Sequence, residues 1–295
     1  MSRTDPKRSD IALTALAPTI WGATYLVTTR LLPEGVPITV ALLRALPAGL
    51  LLLLFLRRLP PLHFVPKLLV LGALNFTLFF TCLFIAAYRL PGGVAATLGA
   101  TQPLIVLILA RIALQNPIRP LAVVAGLAGI LGVACLVLSP EAQLDATGVI
   151  AALIGALSMA TGTVMSRKWA PDAPALVFTS WQLIAGGVLL LPLALTIDPP
   201  LPPLTLANVS GFLFLGLIGG ALAYFLFFRG IATIGPERVA PLGFLSPVTA
   251  VLLGVFIAHE TLSPLQMLGM ALVLGSVWLG QYAQTRTARP RFKPA

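Results

Sequence analysis

Residues 72–104 and 216–248 are two copies of one pattern. At a constant offset of 144, Gly72 matches Gly216, Phe84 matches Phe228, Ala96 matches Ala240, Leu98 matches Leu242, Gly99 matches Gly243 and Pro103 matches Pro247. At an offset of 138, Arg30 matches Lys168, Arg44 matches Gln182 and Gly49 matches Gly187, and at 143 Gly126 matches Gly269 and Gly132 matches Gly275. Shifting offsets are what loops of unequal length between equivalent elements produce. The chain is 58% hydrophobic and 9% charged, with a mean hydropathy of +0.99. Apolar stretches of about 20 residues separated by short Pro-rich loops read as helices that cross a bilayer. A barrel, with alternation over roughly ten residues per strand, is excluded.

The apolar stretches fall near 11–31, 37–56, 67–88, 92–112, 119–138, 146–167, 173–195, 208–229, 237–258 and 263–283. The expected fold is an all-α membrane protein of ten transmembrane helices. Five spans per repeat is an odd number, so the second copy runs inverted through the bilayer. The expected units are a first repeat over 1–138, a linker over 139–145, a second, inverted repeat over 146–283 and a basic tail over 284–295. Inverted repeats of this kind build transporters whose site lies near the bilayer midplane.

The formal net charge of +10 suggests nucleic acid until its placement is considered. With the N-terminus inside, 16 of the 19 lysines and arginines lie on the inner side. Arg30 and Arg89 lie outside, and Arg44 lies within a span. This is the positive-inside pattern, so the charge reports topology, with both termini cytoplasmic, and nucleic acid is not an expected partner. The first apolar stretch reads as an uncleaved span. The basic tail suits either anionic headgroups or solvent. Cys82 and Cys135 lie inside spans and suggest neither a disulfide nor a metal site.

Spans four and nine carry Gly99-Ala-Thr-Gln-Pro103 and Gly243-Phe-Leu-Ser-Pro247. A proline cannot donate to the carbonyl four residues back, here that of Gly99 or Gly243. An unpaired carbonyl in lipid costs several kcal/mol, so each should face protein or a wet cavity. Gly99, Pro103, Gly243 and Pro247 are therefore expected as symmetry-related hinges, with Thr101 and Phe244 beside them. Spans three and eight hold Phe80 with Phe84 and Tyr224 with Phe228, each pair one turn apart. Asn75 and Phe79 adjoin the first pair, and the Tyr224 hydroxyl needs a partner at that depth. Trp21 and Met159 are equivalent positions suited to cavity walls, and Gln182 adds a deep polar group. The small residues Gly22, Thr161 and Gly162 suit packing.

Arg44 is the only charge well inside a span. It either meets an anionic group of a solute or satisfies helix carbonyls and the outer interface. All nine acidic residues lie in loops, tails or span ends, so no deep carboxylate relay, catalytic pair or metal set is present. No enzymatic motif appears, and no cofactor is expected. The glycine faces of spans five and ten suit close helix contact within a half, so a monomer is expected over a homodimer.

Trp21-Gly-Ala-Thr, Arg44, Gly92-Gly-Val-Ala-Ala-Thr-Leu, the Pro103 and Pro247 segments, and Glu260-Thr-Leu followed by Gly269 together resemble the drug/metabolite transporter superfamily, specifically its EamA-type members. The resemblance spans 11–283. Pro117 stands where the family pattern has the acidic mate of Glu260. The resemblance implies a bacterial inner-membrane exporter in which spans three, four, eight and nine surround a cavity and spans five and ten lie outside it. Within the family, the chain resembles the YddG-like exporters of aromatic and other apolar amino acids. The expected cavity residues are thus Trp21, Arg44, Asn75, Phe79, Phe80, Thr97, Thr101, Met159, Gln182, Tyr224, Phe228 and Phe244, around a small amino acid or similar metabolite. A multidrug exporter of the same fold and a non-transporting membrane scaffold are the competing readings.

Overall fold

A computed structural model describes residues 8–33, 35–90, 98–137, 145–258 and 263–285. Thr97, most of the Gly92 motif and Glu260 lie outside the described residues. The described chain is helical, without a strand. α1 is Arg8–Leu31 and α2 is Pro37–Leu56. α3 is a rod over 62–89, α4 is Gln102–Leu114, and α5 is Pro120–Val137. α6 is Ala146–Lys168, α7 is Ala175–Ile197, α8 is Leu206–Ile234, α9 is a rod over 236–258, and α10 is Pro264–Thr285. By length and composition, 8 of these are long and apolar enough to cross a membrane, and α4 and α5 are shorter apolar helices.

Local chemistry sets the boundaries. Pro37, Pro120 and Pro264 open α2, α5 and α10, where the missing N–H would have no helical partner anyway. Asp145 caps α6 by accepting from the Gly148 amide at 2.8 Å. Thr205 and Asn208 form a reciprocal capping box at the start of α8. α2 and α4 end where Arg57 and Gln115 turn left-handed, at φ 51° and 58°.

The major contacts join one half of the chain to the other. α1 packs on α8 and α9, and α6 packs on α3 and α4; α2 pairs with α7 and α5 with α10. Glycine permits the closest of these approaches. Gly49 lies under Leu183 and Ile184 of α7, and its repeat mate Gly187 lies under Leu46 of α2. In the α5–α10 pair, a Cβ on Gly132 would stand 3.0 Å from the Gly269 carbonyl, and one on Gly269 would stand 2.7 Å from the Gly132 carbonyl. The glycine face of α5 was expected to pack within its own half. Gly126 does so, against Leu104, but Gly129 takes Phe244 of the other half, Gly132 and Gly269 join the halves, and Gly275 faces open space.

Large apolar side chains cover the outside of the bundle, among them Phe55 at 81% exposure and Phe256 at 72%. Such a surface suits lipid and would be a liability in water. At the ends, Arg229 pairs with Asp10 at 2.7 Å. Arg119 and Arg238 donate to the Ala283 and Gln284 carbonyls at 2.5 and 2.7 Å, closing the C-terminus of α10. Some of the basic residues that mark topology are thus also structural.

Candidate functional site

α3 and α8 are not uniform α-helices. Each contains a π-helical segment, Ala73–Leu78 in α3 and Phe214–Leu222 in α8, and at the offset of 144 the first falls on 217–222, within the second. π segments inside α-helices recur at functional sites because they widen a turn and redirect side chains. Here both segments are gripped by the opposite half. Trp21 Nε1 donates to the Gly219 carbonyl at 3.0 Å, and Arg44 Nη2 donates to the same oxygen at 3.3 Å. On the other side, Ser158 Oγ donates to the Leu74 carbonyl at 2.8 Å. Asn75 Nδ2 donates to Gln182 Oε1 at 2.8 Å. Under the repeat, Arg44 corresponds to Gln182 and Gly219 to Asn75, so the contacts Arg44–Gly219 and Gln182–Asn75 are equivalents.

Between the two segments lies an aromatic cluster. Tyr224 stands 4.7 Å from Phe76, 4.8 Å from Trp21, 6.0 Å from Phe228 and 6.4 Å from Phe80, centroid to centroid. The Arg44 guanidinium lies over Phe80 at 5.2 Å and over Tyr224 at 5.9 Å. It is 7% exposed. Of the two readings of Arg44, the geometry matches the one in which it satisfies a helix carbonyl. Rings and carbonyl together replace the water this charge has lost.

A second, uncharged cluster adjoins the first. Asn75, Ser166 and Gln182 are buried and mutually bonded: Asn75 Nδ2 also donates to Ser166 Oγ at 3.1 Å, and Ser166 Oγ donates to Gln182 Oε1 at 3.1 Å. Among the described residues, Asn75 Oδ1, Gln182 Nε2 and the hydroxyl of Thr163, one turn before Ser166 on α6, have no hydrogen-bond partner. Each such atom in a desolvated place costs about 1–3 kcal/mol. The Asn75 carboxamide lies against Gly162, where any side chain would strike it. Ser166 also lines a cavity of about 70 Å³ with Phe178, Phe228, Ile231 and the 170–173 turn.

Trp21, Arg44, Asn75, Phe80, Met159, Gln182, Tyr224 and Phe228 are therefore brought together, with Phe79 half-buried at the edge, 5.5 Å from Phe80. Phe244 is not among them. It packs with Ala100, Val133, Val248 and Val273, its ring on Gly129 of α5. The missing side chain at Gly129 creates that slot. Thr101 also stands apart, its hydroxyl bonded to the Leu98 carbonyl at 2.7 Å. The kinks take another form than expected. Pro103 lies in the first turn of α4, after a turn at 100–101. Pro247 is the third residue of Leu245–Ala258, after a 3-10 turn at Ala240–Phe244. The helix restarts at each proline instead of bending around it, because a first turn needs no donor there. Gly99 and Gly243 both have open space beside their Cα atoms.

Phe76, Thr163, Ser166 and Phe227 were not among the expected residues. Phe76 and Phe227 carry the aromatic signal of their neighbours, whereas Thr163 and Ser166 carry none that separates them from packing hydroxyls.

Comparison with known proteins fits this architecture. The model of the EamA-like transporter family matches twice, over residues 8–138 and 146–280. The chain belongs to the EamA-like transporter family. This EamA-like chain is 42% identical to protein PecM of Dickeya dadantii over 94% of each chain. It is 30% identical to the uncharacterized inner membrane transporter YedA of Escherichia coli, over 89% of this chain and 88% of that one. A crystal structure at 20% identity shares the fold, with a TM-score of 0.76 over 92% of this chain and 98% of that protein. As an EamA-like transporter, the protein spans the membrane and acts on small molecules.

Proposed function

We propose that this EamA-like transporter exports aromatic or other apolar amino acids, or similar small metabolites, across the bacterial inner membrane by alternating access. The observation that carries the reading is the buried meeting of Trp21, Phe76, Phe80, Tyr224 and Phe228 with the uncharged Asn75 and Gln182 between the two π segments. Aromatic walls suit an apolar side chain, and neutral polar groups suit a head whose charges balance. The ten-span reading, with inverted repeats over 1–138 and 146–283 and both termini cytoplasmic, is supported by the doubled family match and by helix pairings that recur across the halves.

The deciding measurement is uptake of labelled amino acids into proteoliposomes of purified protein, with and without an imposed pH gradient. Flux of phenylalanine or leucine above empty vesicles is expected. Absence of flux for every amino acid overturns the substrate class. Insensitivity to the gradient identifies facilitated diffusion, and acceleration identifies proton exchange.

The helix restarts at Pro103 and Pro247, flanked by open space at Gly99 and Gly243, supply the moving parts in this reading. Pro103→Ala or Pro247→Ala restores a donor and lets the helix run through. Each is expected to slow transport about tenfold, the effect of a bias of about 1.4 kcal/mol toward the straight form. Folded yield should fall far less. Unchanged rates in both variants at equal expression would remove the hinges from the mechanism.

A further inference from the structure

We infer that Asn75, Thr163, Ser166 and Gln182 form the docking point for the polar head of the transported solute, whose apolar part lies against Phe76, Tyr224 and Phe228. The inference rests on the amino-acid reading above and specifies how the amino acid is held.

Three observations lead to it. First, the cluster keeps hydrogen-bonding capacity that it does not use. Asn75 Oδ1 is an open acceptor, Gln182 Nε2 an open donor, and the Thr163 hydroxyl can be either. Thr14, Thr19, Thr161, Thr179 and Thr249 all return their hydroxyls to their own helix carbonyls four residues back. Thr163, fully buried, does not; the hydroxyls of Thr24 and Thr81 share that property, but neither residue belongs to the Asn75–Ser166–Gln182 triad. A membrane interior built for stability alone would place apolar groups of the same shape here.

Second, the open groups match one kind of head. An acceptor beside a donor, with no fixed charge among them, complements an ammonium and a carboxylate carried by the same molecule. The ammonium donates to Asn75 Oδ1, and the carboxylate accepts from Gln182 Nε2. The two solute charges offset each other, so the site needs none of its own. Arg44 is held in the neighbouring tier by Gly219 and the rings of Phe80 and Tyr224.

Third, the cluster has a cavity and an apolar neighbour beside it. Ser166 belongs both to the bonded triad and to the wall of a cavity of about 70 Å³, whose lining also includes Ala170, Pro171 and Ala173. Phe76 adjoins Asn75 in the π segment, and Phe228 borders the same cavity.

The test is flux of labelled phenylalanine in proteoliposomes, competed by phenylalanine, by its methyl ester, which lacks the carboxylate, and by 3-phenylpropionate, which lacks the ammonium. In the wild type both analogues should compete at least about tenfold more weakly than phenylalanine, a difference of about 1.4 kcal/mol in binding. The double variant Asn75→Leu/Gln182→Met keeps the volumes and removes the open groups. It should melt no lower than the wild type, show a KM raised about tenfold or more, and lose the discrimination among the three competitors. Unchanged KM and unchanged discrimination in the folded variant would show the cluster to be structural or merely hydrated, and would overturn the inference. If the double variant does not fold, Thr163→Val and Ser166→Ala decide the matter: a raised KM at constant Vmax supports the docking point, and wild-type kinetics in both overturn it. Lack of amino-acid flux in the wild type overturns the substrate reading and this inference together; flux with unaltered discrimination in the variants overturns this inference alone.

Discussion

Gly72→Ala is expected to remove most of the folded protein, whereas Gly216→Ala, at the equivalent place in the other half, is expected to be tolerated. A Cβ on Gly72 would stand 2.5 Å from the Gly186 amide nitrogen and 2.8 Å from the Ala185 carbonyl carbon, both backbone atoms of α7. Backbone cannot rotate aside as a side chain can, so α3 and α7 must separate. The same contact seats Phe76, since Gly186 in turn lies under the Phe76 Cβ. Overpacking of this kind costs about 1–3 kcal/mol and at times more. At Gly216 the nearest atom to a new Cβ is the Leu43 carbonyl at 3.6 Å, an ordinary contact. Alanine is also the better helix former by about 1 kcal/mol, so the expected change there is neutral or upward. The measurement is the monodisperse peak in detergent after a heating series, for each variant at equal expression. Equal loss in both would mean that the repeat packs symmetrically at this level, against the geometry described. Loss at Gly216 alone would reverse it.

That contrast also marks how far the sequence could be read. The offset of 144 made Gly72 and Gly216 equivalent, and nothing in the pattern separates them, because what differs is the neighbour across the bundle. Helix limits were legible where a single residue sets them. Pro37 opens α2 as expected, and α6, expected over 146–167, runs from Ala146 to Lys168 behind the Asp145 cap. The π segments were not legible, since an apolar π turn and an apolar α turn share one composition. They are fixed by small-residue contacts such as Gly220 against the Arg44 backbone, where a Cβ would stand 2.6 Å from the carbonyl. Trp21, Phe80, Tyr224 and Gln182 were legible as site candidates because aromatic and amide groups at mid-membrane need a reason. Phe244 misled because its place between Gly243 and Pro247 tied it to the hinge, while its direction is decided by the bare Gly129 on α5. Ser166 and Thr163 stayed hidden because a hydroxyl in a membrane helix ordinarily bonds its own backbone, and only the three-dimensional contacts show that Ser166 is shared with Asn75 and that Thr163 is left open.

Arg44→Lys is expected to be more damaging than Arg44→Met, although lysine keeps the charge. The guanidinium uses its flat faces and its edge together: it lies over Phe80 and Tyr224 at 5.2 and 5.9 Å while Nη2 reaches the Gly219 carbonyl at 3.3 Å. An ammonium is compact and strongly hydrated, and cannot stack while reaching that oxygen. Lysine would therefore leave a buried charge poorly compensated, which costs about 3–5 kcal/mol. Methionine gives up a charge-assisted hydrogen bond worth about 1.5–3 kcal/mol and a desolvated cation–π contact of about 2 kcal/mol. It also removes the penalty of burying the charge, and its thioether stays favourable against the rings. The Gly219 carbonyl keeps the Trp21 donor at 3.0 Å, so that oxygen is not left bare. Methionine should accordingly melt near the wild type and retain measurable flux, while lysine melts well below it and transports least. The opposite order in flux, with lysine active and methionine silent at comparable folded yield, would mean that the charge itself meets the solute. In that case the carboxylate would bind at Arg44, and the π segment of α8 would be held chiefly by Trp21.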